Sequence, residues 1–171
     1  QPNPGPVPRL LDGIRALGFD GAMGYWNFGT SWDQQTKSPM TIGGKAVTVH
    51  WEDYPTQTVP GTERGWEEWR KALGREYLVP ATPMQDWRGL NRGDLIVMSR
   101  VSPPAFEEML SRARRHIEAK GLRPIITIEA WDEWNEGSYV EPSIEYGFGW
   151  LEAIRRVFAK PETAMVTSAG R

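Results

Sequence analysis

The feature that most constrains this chain is an alternation of short apolar runs with amphipathic helical patterns. The runs are "FDGAMGYWNF", "YLVPATP", "DLIVMSRV" and "RPIITIEAW". Among them lie "RGWEEWRKALGRE", with Trp66, Trp69 and Leu73 on one helical face, and "SPPAFEEMLSRARRHIEAKG", with Ser102 as cap, Pro103 in the first turn and Gly121 at the end. "RLLDGIRALGF" precedes them, its stripe of Leu10, Leu11, Ile14 and Leu17 closed by Gly18, and "YGFGWLEAIRRVFAK" follows as a last helix. Buried strands alternating with helices predict a parallel α/β sheet with right-handed crossovers and helices outside. About four core strands are expected, whereas an eight-stranded barrel takes roughly 250 residues. At 171 residues the chain would supply about half of such a barrel. Residues 30 to 64 are polar and broken by Gly and Pro, which predicts a long functional connection containing "KAVTVHW" as a small strand. Proline-rich "QPNPGPVP" reads as a connector.

The strand "RPIITIEAW" runs into "EAWDEWNEGSYVEP", where Glu129, Asp132, Glu133, Glu136 and Glu141 crowd among rings. Like charges held close and partly desolvated are costly unless they serve a purpose. In parallel α/β folds the carboxyl end of a strand and its following loop form the active face, so the acids fall where chemistry is done. Glu133 and Glu136 are three apart and would oppose each other on a continuous strand. A turn after Trp134, permitted by Gly137, would bring both to one pocket. Two carboxyls around one small space suit glycoside hydrolysis, one protonated and one ionised. Burial against Trp131 and Trp134 and mutual repulsion would split their protonation, and the rings would stack on sugar C–H groups. Other roles compete for the remaining acids. Glu129 would suit a buried ion pair with an arginine, Asp132 the orientation of a neighbour, and Glu141 the binding of backbone amides or substrate hydroxyls. "DEWNEG" lacks the spacing of a calcium loop, so no metal or cofactor is expected.

Elsewhere, Tyr25, Trp26 and Asn27 end the first apolar run and would line the same face. Trp51, between His50 and Glu52, would be a sugar platform or a loop anchor. His116 is expected to be solvated on the polar side of its helix, and "RARR" at 112 to 115 to be a wet helix face. Nine tryptophans exceed what a core of this size requires and suit a site that stacks sugars. A net charge of -2 argues against nucleic acid as a main partner, and no apolar run reaches the roughly 18 residues of a membrane span. Cysteine is absent, so disulfide and thiol chemistry are excluded and the compartment is not legible. Position 1 is Gln, with no leader after it, so the chain is expected to be processed or a piece of something longer.

"AWDEWNEGSYVEPSIEYGFGWLEA" resembles the closing motif of glycoside hydrolase family 99-like proteins, which include endo-α-mannosidases and WbsX-like proteins of polysaccharide gene clusters. That motif runs A-W-N-E-W-x-E-G-x-x-x-E-P. Trp131, Glu133, Trp134, Glu136, Gly137, Glu141, Pro142, Tyr146, Gly147, Leu151 and Glu152 match. "SPPAFEEML", "YLVPATPMQDWRG" and "LGFDGAMGYWNF" resemble earlier family segments more loosely. The resemblance implies a (β/α)8 barrel of which residues 1–160 are the C-terminal part, with 161–171 a flexible tail. It implies catalysis by Glu133 and Glu136, retaining through a 1,2-anhydro sugar. Glu133 would take the proton of the 2-hydroxyl, and Glu136 would be general acid and then base. Substrate contacts are expected from Tyr25, Trp26, Asn27, Trp87, Trp131, Trp134, Asn135 and Glu141. Asp132 stands where the family usually has asparagine, and "QDWR" replaces a glycine–tryptophan–aspartate turn, so Asp86 and Trp87 carry over loosely. The expected partners are an α-linked, mannose-like oligo- or polysaccharide and the missing N-terminal half of the domain. Two alternatives are a WbsX-like sugar transferase, for which no phosphate cradle or D-x-D pair is visible, and a non-catalytic carbohydrate-binding remnant.

Overall fold

A computed structural model of the chain describes residues 13–14, 16–24, 35–73, 77–90 and 92–159. Tyr25, Trp26 and Asn27, Leu10 and Leu11, the proline-rich start and the 161–171 tail all lie outside the described residues.

The segment read as a long connection is largely a β-hairpin. Strand β1 (Thr36–Ile42) pairs antiparallel with β2 (Lys45–Asp53), from Thr36 opposite Trp51 to Ile42 opposite Lys45. Gly43 and Gly44 make the turn at φ +56° and +76°. Two consecutive positive φ values define the hairpin turn whose twist matches its strands, and glycine adopts them without steric cost. Pro39 is tolerated because β1 is an edge. On its other side β2 runs parallel to β4 (Asp94–Ser99), with Val49 beside Leu95 and Trp51 beside Val97. This corrects the reading of "DLIVMSRV": it joins the hairpin in a separate three-stranded sheet, not a common sheet with the other apolar runs.

Those other runs do lie side by side. Ala22 bridges Tyr77 in parallel, and β3 (Val79–Ala81) runs parallel to β5 (Ile126–Ile128). Helix α1 (Val59–Leu73) leads into β3, and α2 (Pro103–Lys120) leads into β5. A one-turn π-helical segment, Tyr54–Thr58, joins β2 to α1. In α2, Ser102 Oγ accepts from the Ala105 N–H at 3.4 Å, and Gly121, at φ +59°, donates its N–H to the Ile117 carbonyl. Both ends are therefore satisfied by the residues the sequence placed there. Phe106, Met109, Leu110, Ala113 and Ile117 form the buried stripe of α2. Trp66 and Leu73 of α1 are buried and Trp69 partly so, and Trp66 Nε1 donates to the Pro80 carbonyl at 2.8 Å, pinning the helix to β3. The last helix, α3 (Gly149–Phe158), inserts Trp150 edge-on against Phe106 at 5.7 Å. Fully burying one such apolar side chain is worth about 1.5–3 kcal/mol, and Phe106 and Trp150 are both fully buried in the main core.

Two expectations fail here. His116 is buried, its ring 5.7 Å from Trp66, because it sits three residues after Ala113 on the apolar stripe, and burial lowers its pKa. Leu17 is 76% exposed: it belongs to the final turn, where its N–H meets the Gly13 carbonyl, and not to a buried stripe.

Candidate active site

Strand β5 hands the chain directly to the acid-rich segment. The Glu129 N–H donates to the Ala81 carbonyl at 3.2 Å, and the Glu129 carbonyl accepts from Thr82 Oγ1 at 3.0 Å and Ser138 Oγ at 2.8 Å. The Glu129–Ala130 peptide is cis. Beyond it the segment folds into a small hairpin, β6 (Asp132–Glu133) against β7 (Ser138–Tyr139), with Asp132 opposite Tyr139 and Glu133 opposite Ser138. The connection is one 3-10 turn, Trp134–Glu136, closed by Gly137 at φ +59° with its N–H on the Trp134 carbonyl at 3.1 Å. Glu133 ends β6 as the residue before the turn, at φ -74° and ψ 60°, and Glu136 is the turn's last residue, so the two glutamates stand at its two ends.

The turn is docked backbone to backbone on a second one, Trp87–Gly89. The Asp86 N–H donates to the Glu136 carbonyl at 2.7 Å. A Cβ on Gly137 would lie 2.7 Å from Asp86 Cβ, and one on Gly89 would lie 3.0 Å from the Asn135 carbonyl oxygen. Both glycines are thus required by close approach. Asp86 Oδ1 accepts from the Arg88 N–H at 3.1 Å and from its guanidinium at 2.9 Å. Partial burial raises the Asp86 carboxyl, and the Arg88 contacts outweigh it, leaving its pKa below the ordinary value.

The acids separate by environment. Glu129 is buried, and Gln85 Nε2 donates to its Oε1 at 3.3 Å; the Gln85 Oε1 in turn accepts from Trp87 Nε1 at 2.7 Å. Asp132 is exposed, and Glu133 and Glu136 are half-buried. Glu141 Oε2 accepts from Trp134 Nε1 at 2.8 Å. Trp134 stacks on Tyr139, centroids 3.8 Å apart and planes 21° apart. Trp131 and Trp134 are 53% and 47% exposed. The tryptophans therefore border an open face.

Of the other expected contacts, Asn135 is exposed at the turn, while Trp87 is buried in the second apolar cluster with Val49, Leu95, Ile96 and Val97, the Arg92 guanidinium 5.1 Å from its ring centre. Trp87 is a wall of the fold more than a face for ligand. Trp51 donates Nε1 to Ser38 Oγ at 2.7 Å, which makes it an anchor of the β1–β2 pair. The sequence reading overlooked Gln85, Thr82, Ser138 and Tyr139. Only Ser138 and Tyr139 had a signal, the hairpin symmetry of residues flanking a Gly-closed turn. Among the described residues no group of three or more His, Asp or Glu is placed to hold a metal ion, and no helix is long and apolar enough to cross a membrane.

The α/β scaffold thus places two half-buried glutamates and two exposed tryptophans at one strand end. The chain belongs to the WbsX family: the model described as Glycosyltransferase WbsX matches residues 30–154, from the β1–β2 hairpin through the glutamate turn into α3. It is also 29% identical over 110 residues, 61% of its length, to the protein described as uncharacterized protein WxcX in two strains of Xanthomonas campestris pv. campestris. The chain spans 13% of the length of those relatives. No solved structure matches it. The family resemblance read from the closing motif is therefore borne out.

Proposed function

We propose that this chain carries the catalytic end of a glycoside hydrolase acting on α-linked, mannose-like polysaccharide, with Glu133 and Glu136 as the working pair. The observation that carries the reading is the 3-10 turn Trp134–Glu136, which has Glu133 before it and Glu136 at its end and follows the carboxyl end of a parallel strand. In the first step Glu133 takes the proton of the sugar 2-hydroxyl and O2 attacks C1. The C1–O bond to the leaving group breaks, and the leaving oxygen takes the proton of Glu136. In the second step Glu136, now a carboxylate, takes a proton from water, whose oxygen opens the anhydro ring at C1, and O2 recovers its proton from Glu133. Two inversions give retention.

The same reading makes the scaffold the C-terminal half of a (β/α)8 barrel. Its support is that Ala22 and Tyr77, then β3 and β5, adjoin in chain order with α1 and α2 as crossovers. The family description favours a second reading, sugar transfer from an activated donor. Sugar release from α-mannan by the intact protein, compared with Glu136→Gln, separates the two. The hydrolytic reading expects release to fall at least 100-fold in Glu136→Gln, the scale of a lost acid–base group. Transfer from a nucleotide sugar with no release from mannan would replace it.

A further inference from the structure

We propose that the outer face of Trp134 is a stacking platform for a pyranose ring, and that Glu141 is the residue that positions it. The inference rests on the sugar-active reading of this hairpin but not on the roles of Glu133 and Glu136.

The indole is held from two directions. Tyr139, buried at 7% exposure, lies against one face at 3.8 Å, and Glu141 holds the Nε1–H at 2.8 Å. A hydrogen bond to a carboxylate is among the stronger neutral-donor contacts. Glu141 is itself anchored, because its backbone N–H donates to the Trp131 carbonyl at 3.0 Å. With one face covered and the edge pinned, 47% exposure of Trp134 places its other face in solvent. A large ring left open and also immobilised has lost its rotamer freedom before any ligand arrives, which is the condition for inexpensive binding.

The chemistry of the surface selects the ligand. An indole face is apolar and electron-rich, so it favours a flat array of polarised C–H groups, which a pyranose presents on one side. Trp134 directly follows Glu133 in the chain and opens the turn that ends at Glu136. A sugar on this platform would be one unit of the bound polysaccharide. Glu141, expected from sequence to touch substrate, instead acts through the ring.

The test is electrophoresis of the intact protein through gels containing α-mannan, dextran or pullulan, in a Glu136→Gln background so that turnover does not consume the ligand. At least one polysaccharide should retard the parent. Trp134→Ala should weaken that retardation about tenfold or more, the scale of a lost tryptophan anchor. Trp134→Phe, which keeps a ring but loses the hold of Glu141 on the N–H, should weaken it about fivefold, short of the loss in Trp134→Ala. Glu141→Ala should weaken it about fivefold and Glu141→Gln, whose amide oxygen still accepts from Nε1, should restore it. Retardation of Trp134→Ala equal to the parent, equal losses in Trp134→Ala and Trp134→Phe, or no retardation of the parent by any of the three would overturn the platform. Equal binding by Glu141→Ala would overturn the role of Glu141. Failure of the hydrolytic reading appears elsewhere, as mannan release unaffected by Glu136→Gln, and leaves the binding result intact.

Discussion

At the scale of single residues, the two glycines that let the turns touch are the sharpest determinants. Gly137 combines a φ of +59° with a Cβ position 2.7 Å from Asp86 Cβ. The left-handed backbone alone costs a side chain about 1–2 kcal/mol, and the contact requires Asp86 or the turn to move. Gly137→Ala should therefore destabilise by about 2–3 kcal/mol in urea titration and abolish activity through displacement of Glu136. Gly89 meets only a 3.0 Å contact with the Asn135 carbonyl and no positive φ. Gly89→Ala should cost about 1 kcal/mol, and the double variant less than the sum, because each substitution separates the same pair of turns. Gly137 and the glutamates were legible because an acid–acid spacing of three with a following glycine has few uses other than a closed turn. His116 and Trp87 were not. Charged neighbours at Arg114 and Arg115 hid the apolar stripe beneath His116, and the cluster enclosing Trp87 comes from β2 and β4, distant in sequence.

Among the elements, the same distance effect explains why the β1–β2 hairpin was half seen. "KAVTVHW" alternates and was legible, but its partner "TKSPMTI" carries proline and polar residues, and only the two-glycine turn marks the pair. Register between β2 and β4 depends on contacts no local pattern encodes, and one of them makes a measurable prediction. Asp53, ending β2, accepts from the Arg100 guanidinium at 2.5 and 2.6 Å, and Arg100 follows β4 at a φ of +53°. The Arg100 hydrogen bonds lower the Asp53 pKa to about 2, with Thr56 assisting and partial burial opposing. Its pKa is depressed in the folded state, so the stabilisation is full above the unfolded value near 3.9 and is lost as pH falls toward 2. Asp53→Asn should lower the urea midpoint at pH 7, and the gap between variant and parent should close between pH 4 and pH 2. A gap independent of pH would mean that the charge facing Arg100 is not what the aspartate contributes, since asparagine keeps the acceptor for the Thr56 N–H.

For the molecule as a whole, the strand–helix alternation was legible in sequence, but which strands share a sheet depends on contacts beyond any local pattern. Among the described residues β5 is hydrogen-bonded along one edge only, to β3. Against it, a cavity of about 370 Å³ is lined by Ile117, Pro124, Ile126, Ile128, Ile154 and Phe158, together with Arg114 and Glu118. Ile125 is 45% exposed and Phe158 40% exposed. An apolar groove along an unpaired strand edge is a seat for another strand, and a (β/α)8 arrangement would fill it with a unit from the other half of the barrel. Phe158→Asp distinguishes the cases. If the groove faces water in the intact protein, replacing a partly exposed ring there should cost no more than about 1 kcal/mol. If a strand and helix cover it, the substitution buries a carboxylate and should cost about 3 kcal/mol or more, read as a fall in the unfolding midpoint and recovered in part as pH falls from neutral to about 4, through the raised pKa of the buried carboxyl toward its unfolded value. That recovery is the decisive sign, because an exposed aspartate has no reason to become less harmful in acid, whereas a covered one must.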